Sequence, residues 1–259
     1  MNSEGAGTGA GTGAAADAVF AHVRRDTDPA AQALALATAV AGELAAALAA
    51  RGAASLVVSG GRTPALMFAR LATQPLDWSR VQITLADERW VGFDHPASNE
   101  RLVRMDLLRG AAAAARLIGM KNDAVSPGAG AAAAWATIGA MPQPFDVVLL
   151  GMGDDGHTAS LFPGSAELAA GLDRQAPPGC LGVRPVAAPF PRLTLNLSAL
   201  LNARRICVQI SGAGKWQVYE RACLAGAESE MPIRAILRQR QVPVEVFWCP
   251  EGAAQGLSA

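Results

Sequence analysis

The stretch LLGMGDDGHTASLFPGS, residues 149–165, joins the end of a buried strand to a turn rich in glycine and aspartate. The strand, FDVVLLGM at 145–152, is almost uniformly apolar, which is typical of strands covered on both faces of a parallel sheet. Two aspartates and His157 follow, and we expect Thr158 to begin a short helix. Open α/β sheets bind ligands just beyond the carboxyl ends of their strands, where a histidine beside carboxylates suits proton transfer. The alternative is a polar turn whose aspartates cap the next helix.

The same pattern of short apolar strands and longer helices extends through the chain. Strands are predicted at 55–60, 81–88, 203–212 and 244–250. Helices are predicted at 30–51, 64–71, 98–108 with Ser98 as its N-cap, 129–139 and 215–224. Residues 171–191 hold five prolines and are predicted to wind along the surface. Alternating strands and helices predict an α/β fold: an open, mostly parallel, Rossmann-like sheet with helices on both faces.

Composition limits the possible partners. The 22 basic and 22 acidic residues give no net charge, which argues against a nucleic-acid-binding protein. The apolar stretch 30–50 is rich in weakly apolar alanine and interrupted by Glu43, so we expect a helix of a soluble protein and no membrane span. A monomer is the default expectation, since the sequence carries no signal of oligomeric state.

The cysteines and the N-terminus indicate the compartment and the domain boundary. The four cysteines form no CxxC pair and no zinc-type cluster, which favours a reducing, cytoplasmic location. Cys207 and Cys249 lie in apolar strands and are predicted to be small buried hydrophobes. Residues 1–16 lack the features of a signal peptide and are predicted to form a flexible Gly/Ala-rich tail before a single α/β domain at 17–259.

The turn SGGRTP, Ser59 to Pro64, follows the first of these predicted strands. Gly60 and Gly61 allow the backbone to approach a ligand closely, and Ser59 and Thr63 add hydroxyl donors. The next helix presents the positive end of its dipole to the same place. The turn matches neither nucleotide-binding glycine motif and suits a single phosphate group. An ordinary glycine turn is the alternative.

Charged residues mark the other junctions. Asp87 and Arg89 lie at the end of the strand predicted at 81–88, and an acid beside an arginine should stay ionised. Lys215 follows a second glycine turn at the start of a helix, where the dipole disfavours a cation unless an anion binds. Arg192 is a second candidate counter-charge, whereas His95 is predicted to be an ordinary loop histidine. Solvated charges and surface ion pairs are the alternative.

Taken together, SGGRTP, DERWV with SNE, GMGDDGHTASLFPG, PRLTLNLSALLNA and GAGK resemble the 6-phosphogluconolactonase family, in the glucosamine-6-phosphate deaminase-like superfamily. The resemblance covers about residues 30 to 250. It implies hydrolysis of 6-phospho-D-glucono-1,5-lactone to 6-phosphogluconate, the second step of the oxidative pentose phosphate pathway, with no metal or organic cofactor.

The resemblance also implies roles for individual residues. Ser59, Gly60, Gly61 and Thr63 would face the substrate phosphate. Arg192 and Lys215 would supply its counter-charge, and His157 would be the general base. Asp155 and Asp87 would orient His157 or the sugar hydroxyls, two roles that the sequence does not separate. Arg89 and the backbone N–H groups of the glycine turns are candidate donors to the oxyanion.

Two rival functions are weaker. Glucosamine-6-phosphate deaminases, the sister family, carry a glutamate five residues after the histidine, where this chain has Phe162. They also have tyrosine after the acidic pair, where this chain has Arg89. A non-catalytic sugar-phosphate sensor would lose the acid and base residues that are present here. One departure from the lactonase pattern is Arg62, where many relatives have serine.

Overall fold

The computed structural model describes residues 21–61 and 63–251. These residues form two β-sheets. Arg62 and the predicted tail at 1–16 lie outside the described residues. The strands in chain order are β1 His22–Arg25, β2 Ala54–Val58, β3 Val81–Leu85, β4 Asp87–Arg89, β5 Arg116–Ile118, β6 Val147–Leu150, β7 Cys180–Val183, β8 Arg192–Leu195, β9 Ile206–Ser211 and β10 Val244–Cys249. The α-helices are α1 Pro29–Arg51, α2 Pro64–Leu71, α3 Asn99–Asp106, α4 Pro127–Ile138, α5 Leu168–Leu172, α6 Leu197–Leu201, α7 Ala213–Cys223 and α8 Ile233–Leu237.

The larger sheet has seven strands in the order β1-β10-β9-β6-β2-β3-β5, and every neighbouring pair is parallel. Every residue of β2 and β6 is buried, as expected for central strands covered on both faces. The predicted open, mostly parallel α/β sheet is therefore confirmed. Cys207 and Cys249 are buried in β9 and β10, as predicted.

Helix α1 has a clear beginning and end. The Asp28 side chain accepts the Ala31 N–H at 2.8 Å as N-cap, and Gly52 ends the helix in the left-handed conformation. By length and composition α1 is the one helix in the described residues that is apolar enough to cross a membrane. It packs against β2, β6, β10 and α2, as the core helix of a globular fold does.

The order of the strands places a topological switch point between β2 and β6. From β2 the chain proceeds to β3 and β5 on one side, and from β6 it proceeds to β9 and β10 on the other. The crevice at the carboxyl ends of strands on either side of such a point is the usual ligand site of open α/β sheets. Loops after β2, β3, β6 and β9 therefore meet at one edge.

The predicted strand 81–88 is wrong in one respect, because it breaks at Ala86. The Ala86 N–H still donates to Val58 at 2.8 Å, but its carbonyl accepts the Leu195 N–H at 2.9 Å, from the second sheet. Asp87 and Arg89 thus belong to β4, in an antiparallel sheet of order β4-β8-β7. The proline-rich segment 171–191, predicted to wind along the surface, contains the short strand β7.

The short helix expected to begin at Thr158 is absent from this described segment. Thr158 instead pairs with Leu161 across an isolated antiparallel bridge, and its hydroxyl donates to the Gly151 carbonyl at 2.9 Å. Ala159 between them has a left-handed φ of 47°, a conformation that costs an alanine free energy. The chain after His157 is therefore a tight loop fixed by hydrogen bonds.

Candidate active site

A cavity of about 460 Å³ opens at the switch point. Every predicted site residue except Asp155 lines it, and Asp155 lies beside His157. The predicted residues in the lining are Ser59, Gly60, Gly61, Thr63, Asp87, Arg89, His157, Arg192 and Lys215. Loops from both sheets contribute, because Asp87, Arg89 and Arg192 come from β4 and β8 while the others follow strands of the parallel sheet.

His157 is held by Asp155, two residues before it. The ring Nδ1 lies 2.5 Å from Asp155 Oδ1, and the His157 backbone N–H donates to the same oxygen at 3.0 Å. Gly156, at φ 79°, makes the turn that brings the two side chains together. If Nδ1 carries the proton of this pair, Nε2 is the basic nitrogen, and it has no hydrogen-bond partner among the described residues.

The neighbours of the Asp155–His157 pair keep the Asp155 carboxyl ionised. Burial raises the pKa of the Asp155 carboxyl, but the two hydrogen bonds from His157 outweigh burial and leave that pKa below its ordinary value. Asp155 therefore stays ionised at neutral pH. On the other side, the ring of Phe162 packs against the His157 ring with centroids 4.2 Å apart. The histidine thus lies between a carboxylate and an apolar wall.

Asp87 has a separate set of partners. Its Oδ2 accepts the Ser160 hydroxyl at 2.5 Å and faces Arg192 Nη1 at 3.7 Å. Asn99 donates its side-chain amide to the Asp87 backbone carbonyl at 2.8 Å. Among the described residues no hydrogen bond or ion pair joins Asp87 to His157, whereas Asp155 bonds directly to the imidazole. Asp87 lines the cavity, where it can contact a bound ligand.

The glycine turn after β2 has the geometry of an open cradle. Ser59 is 7 % exposed, and its hydroxyl has no hydrogen-bond partner among the described residues. Gly60 must lack a side chain, because a Cβ there would lie 1.8 Å from Asn99 Oδ1. Gly61 has φ 104° and open space where a Cβ would be. Thr63 is the N-cap of α2 but makes no side-chain capping bond, so its hydroxyl is free for another acceptor.

Two arginines enter the cavity from the small sheet. Arg192 is buried beside Asp87; burial lowers its guanidinium pKa, and the nearby Asp87 opposes that shift. Arg89 donates through Nη1 to the Ala97 carbonyl at 2.5 Å. The Nε groups of both arginines are buried and have no partner among the described residues. Unsatisfied donors of this kind are costly, which favours an acceptor bound from outside.

Lys215 lies in the first turn of α7. Its Nζ forms an ion pair with Asp154 Oδ1 at 2.8 Å, and the Asp154 side chain is 89 % exposed. Gly212, with φ 88°, precedes the helix and offers no side-chain cap. The predicted conflict between a lysine and the helix dipole is thus relieved by an aspartate from the loop that also carries His157.

Several residues without a role predicted from the sequence also shape the site. They are Asn99, Ser160, Asp154 and the buried Gln209, whose Oε1 has no partner in the described part of the chain. Asn99 and Ser160 stand within motifs already recognised, SNE and GHTAS, so the motif was visible but not the side-chain role. Gln209 gave no signal, since one polar residue in a buried strand does not reveal its environment.

Neither His95 nor a metal-binding cluster of the described residues contributes to the cavity. His95 lies outside the cavity lining, where its Nδ1 accepts the Ala97 N–H and its ring contacts Phe190, as expected of a loop histidine. Within the described ranges, no group of three or more His, Cys, Asp or Glu side chains could hold a metal ion. The cavity combines one oriented base with hydroxyl, guanidinium and ammonium donors, and can therefore bind an anion beside a group that loses or gains a proton.

The chain is similar to known proteins over most of its length. The family model described as glucosamine-6-phosphate isomerases/6-phosphogluconolactonase matches residues 27–248. A 6-phosphogluconolactonase of Rhizobium meliloti is 46% identical over 223 residues, which cover 86% of this chain and 96% of that protein.

Solved structures show the same fold. The crystal structure of a 6-phosphogluconolactonase from Shewanella baltica OS155 superposes with a TM-score of 0.86 at 48% identity, over 88% of this chain and 97% of that chain. A monomeric glucosamine-6-phosphate deaminase superposes with a TM-score of 0.70 at 17% identity, over 92% of this chain and 100% of that chain. Because the fold is common to both activities, the residues in the cavity must distinguish between them.

Proposed function

Because the chain belongs to the family of glucosamine-6-phosphate isomerases and 6-phosphogluconolactonases, we propose that it hydrolyses 6-phospho-D-glucono-1,5-lactone to 6-phospho-D-gluconate. The high identity to 6-phosphogluconolactonases over most of their length supports this choice. The observation that carries the mechanism is the single cavity shared by the Asp155-oriented His157 and the donors Ser59, Arg192 and Lys215.

The reaction begins with water activation. Nε2 of His157 takes a proton from a water molecule as the oxygen attacks the lactone carbonyl carbon. Asp155 stabilises the imidazolium that forms, because its carboxylate is ionised and bonded to Nδ1. A lactone is an activated ester, so one oriented base together with good positioning supplies the necessary catalysis.

The tetrahedral intermediate then collapses. Its oxyanion requires hydrogen-bond donors, and the candidates are Arg89, which lines the cavity, and the backbone N–H groups of the glycine turns. The bond from the carbonyl carbon to the ring oxygen breaks, and protonated His157 returns its proton to that oxygen. The products are the open-chain acid and the regenerated base, and the reaction draws only on protein groups and water.

Binding of the phosphate accounts for the rest of the cavity. Ser59, the N–H groups of the glycine turn and Thr63 surround one end, where α2 directs its amino terminus. Lys215 and Arg192 neutralise the charge of the phosphate. Asp87, held by Ser160 and Asn99, accepts hydrogen bonds from sugar hydroxyls.

Deamination of glucosamine 6-phosphate is the rival activity. Its histidine works with a glutamate five residues later, but here that residue is Phe162, whose ring packs on His157. An apolar ring in this position cannot relay a proton. The contact therefore favours the lactonase.

We also infer the cellular setting of the enzyme. We propose that it acts as a cytoplasmic monomer on a small-molecule sugar phosphate lactone in the oxidative pentose phosphate pathway, without nucleic acid or membrane partners. The zero net charge and the four free cysteines support this proposal.

The proposal is tested by a lactonase assay. The substrate is generated in situ, and its disappearance is compared with spontaneous hydrolysis for the wild type, His157→Ala and His95→Ala. We expect acceleration by the wild type and by His95→Ala, with a loss of about 10² to 10⁴ in kcat for His157→Ala. Absence of acceleration by the wild type would contradict the proposed reaction; native turnover of His157→Ala would contradict the base.

A further inference from the structure

We propose that Asp154 is an internal competitor at the phosphate subsite: its carboxylate pairs with Lys215 in the free protein, and a ligand must displace it to bind. This inference rests on the proposed function, which places the substrate phosphate at Lys215. It assigns a role to an aspartate that makes no contact with His157 among the described residues.

The amino terminus of α7 lacks a counter-charge of its own. Gly212 provides no side-chain cap, and the first turn contains no acidic residue. The positive end of the helix dipole and the Lys215 ammonium therefore coincide, an arrangement that requires an anion. In the free protein Asp154, 2.8 Å from Lys215 Nζ, supplies it.

The ion pair between Asp154 and Lys215 can be replaced by one between Lys215 and a ligand. The Asp154 side chain is 89 % exposed and that of Lys215 is 29 % exposed, so water screens the pair and its net contribution is small. A ligand that offers more charge than one carboxylate can take its place. The buried Ser59 hydroxyl, unpartnered within the described residues, lies in the same cavity and gains an acceptor when this happens.

The exchange leaves the catalytic turn in place. The Asp154 carbonyl accepts a hydrogen bond from Arg221 Nη2 at 3.4 Å, and the Gly153 N–H donates to the His157 carbonyl at 2.8 Å. These backbone bonds hold residues 153–157 while the Asp154 side chain turns toward solvent. The effect of Asp154 should therefore appear in ligand affinity.

The consequence is a common penalty on every anion that binds Lys215. A phosphate ester near pH 7 carries between one and two negative charges and three acceptor oxygens, whereas the Asp154 carboxylate carries one charge and two oxygens. A phosphate therefore binds strongly enough to displace Asp154, whereas a singly charged ligand such as acetate offers Lys215 little more than Asp154 does. Asp154 thus weakens the binding of all anions by a similar factor.

The test measures binding of inorganic phosphate and of acetate by titration calorimetry to the wild type and Asp154→Asn. We expect Asp154→Asn to bind phosphate about two- to fivefold more tightly, the fold-change that corresponds to an exposed ion pair, and acetate to gain at least as much. Glu228→Gln, which removes the same charge from a pair with Arg174, is the matched control. Asp154→Ser serves as a second variant if the asparagine variant folds poorly.

A double-mutant cycle distinguishes competition of Asp154 for Lys215 from simple repulsion between Asp154 and the ligand. In a Lys215→Met background, removing Asp154 should have no effect on phosphate affinity, because the pair no longer exists. A gain that persists in this background, or unchanged or weaker phosphate binding in Asp154→Asn itself, would overturn the proposal. So would a total lack of phosphate binding by both wild type and variant.

Activity measurements distinguish this inference from the proposed reaction. For the phosphorylated lactone, Asp154→Asn should lower KM by the same factor, with a smaller change for unphosphorylated gluconolactone. If the wild type binds phosphate and Asp154→Asn tightens it, but neither hydrolyses the lactone, the proposed function fails while the role of Asp154 stands.

Discussion

Asp155 Oδ1 binds His157 at two points, the ring Nδ1 at 2.5 Å and the backbone N–H at 3.0 Å. One carboxylate oxygen thus fixes both the orientation of the imidazole and the turn that carries it. The pair is local in sequence, and the left-handed conformation of Gly156 between the two residues brings their side chains together. Several consequences can be measured.

Asp155→Asn should reduce kcat strongly, because a neutral amide cannot stabilise the imidazolium and can favour the wrong tautomer of His157. We expect a loss between about 10-fold and 10⁴-fold, with a smaller change in KM. Steady-state kinetics on the phosphorylated lactone check this. Asp173→Asn, an exposed aspartate whose Oδ1 accepts a backbone N–H two residues on, is the matched control. Equal kinetics for Asp155→Asn and the wild type would contradict the assigned role.

The pKa of Asp155 should rise in His157→Ala. In the wild type, burial raises that pKa, but the hydrogen bonds and charge of His157 hold it below its ordinary value. Removal of the imidazole leaves burial opposed mainly by the backbone N–H bond, so the carboxyl should titrate at higher pH. NMR titration of carboxyl ¹³C shifts measures both proteins. A pKa that does not change, or that falls, would show that the ring does not stabilise this carboxylate.

Lys215→Ala should raise KM for the phosphorylated lactone much more than KM for unphosphorylated gluconolactone. The lysine lines the cavity from the first turn of α7. Loss of its charge there weakens the binding of an anion but not of a neutral ligand. We expect roughly a tenfold or greater difference between the substrates, since hydrogen bonds to charged groups contribute about 1.5–3 kcal/mol. Arg70→Ala, which removes an exposed charge from the last turn of α2, is the control. Parallel effects on both substrates would remove Lys215 from the phosphate subsite.

Replacing either glycine after Ser59 with alanine should harm the protein, for a different physical reason at each position. In Gly60→Ala the new Cβ would meet Asn99 Oδ1 at 1.8 Å, so Asn99 must release Asp87, and kcat/KM should fall. Gly61→Ala meets no atom within 4 Å, but its φ of 104° imposes strain of about 1–3 kcal/mol. Urea unfolding and kinetics compare them. If Gly60→Ala left the activity intact, Asn99 could not be required to hold Asp87.

Glu88→Gln should destabilise the fold by about 1–3 kcal/mol. The buried Glu88 carboxylate accepts four hydrogen bonds. The glutamine amide, in either orientation, would place its NH₂ group against a backbone N–H that now donates to the carboxylate. The donors are the N–H groups of Arg89, Asn99 and Glu100 and the Ser98 hydroxyl. Thermal unfolding measures the loss, with the exposed Glu220→Gln as control. A native Tm would show that the carboxylate is dispensable.

Much of this fold is predictable from local pattern. Largely apolar runs predicted β2, β6 and β9 because strands of a parallel sheet are buried on both faces. Ser98 was identifiable as an N-cap, and its hydroxyl does accept the Arg101 N–H. The convergence of the loops follows from parallel strands alone.

The remainder depends on partners that a local pattern does not contain. The break at Ala86 could not be predicted, because its apolar neighbours continue the strand pattern and only the second sheet captures its carbonyl. Ala159 adopts a left-handed conformation that no alanine signals. The Lys215–Asp154 pair joins the first turn of α7 to the loop after β6, and the place of Asp87 in β4 depends on the second sheet.

The parallel pairing of β1 with β10 determines how this protein can be attached to a support. The chain enters β1 at His22 on the amino edge of the sheet and leaves β10 at Cys249 on the carboxyl edge, where the Cys249 carbonyl accepts the Gly212 N–H at 2.9 Å. Immobilisation through the segment before His22 therefore directs the cavity toward the solution. Attachment just after Cys249 brings the support beside Lys215, where it would hinder diffusion of substrate to a sensor or reactor surface.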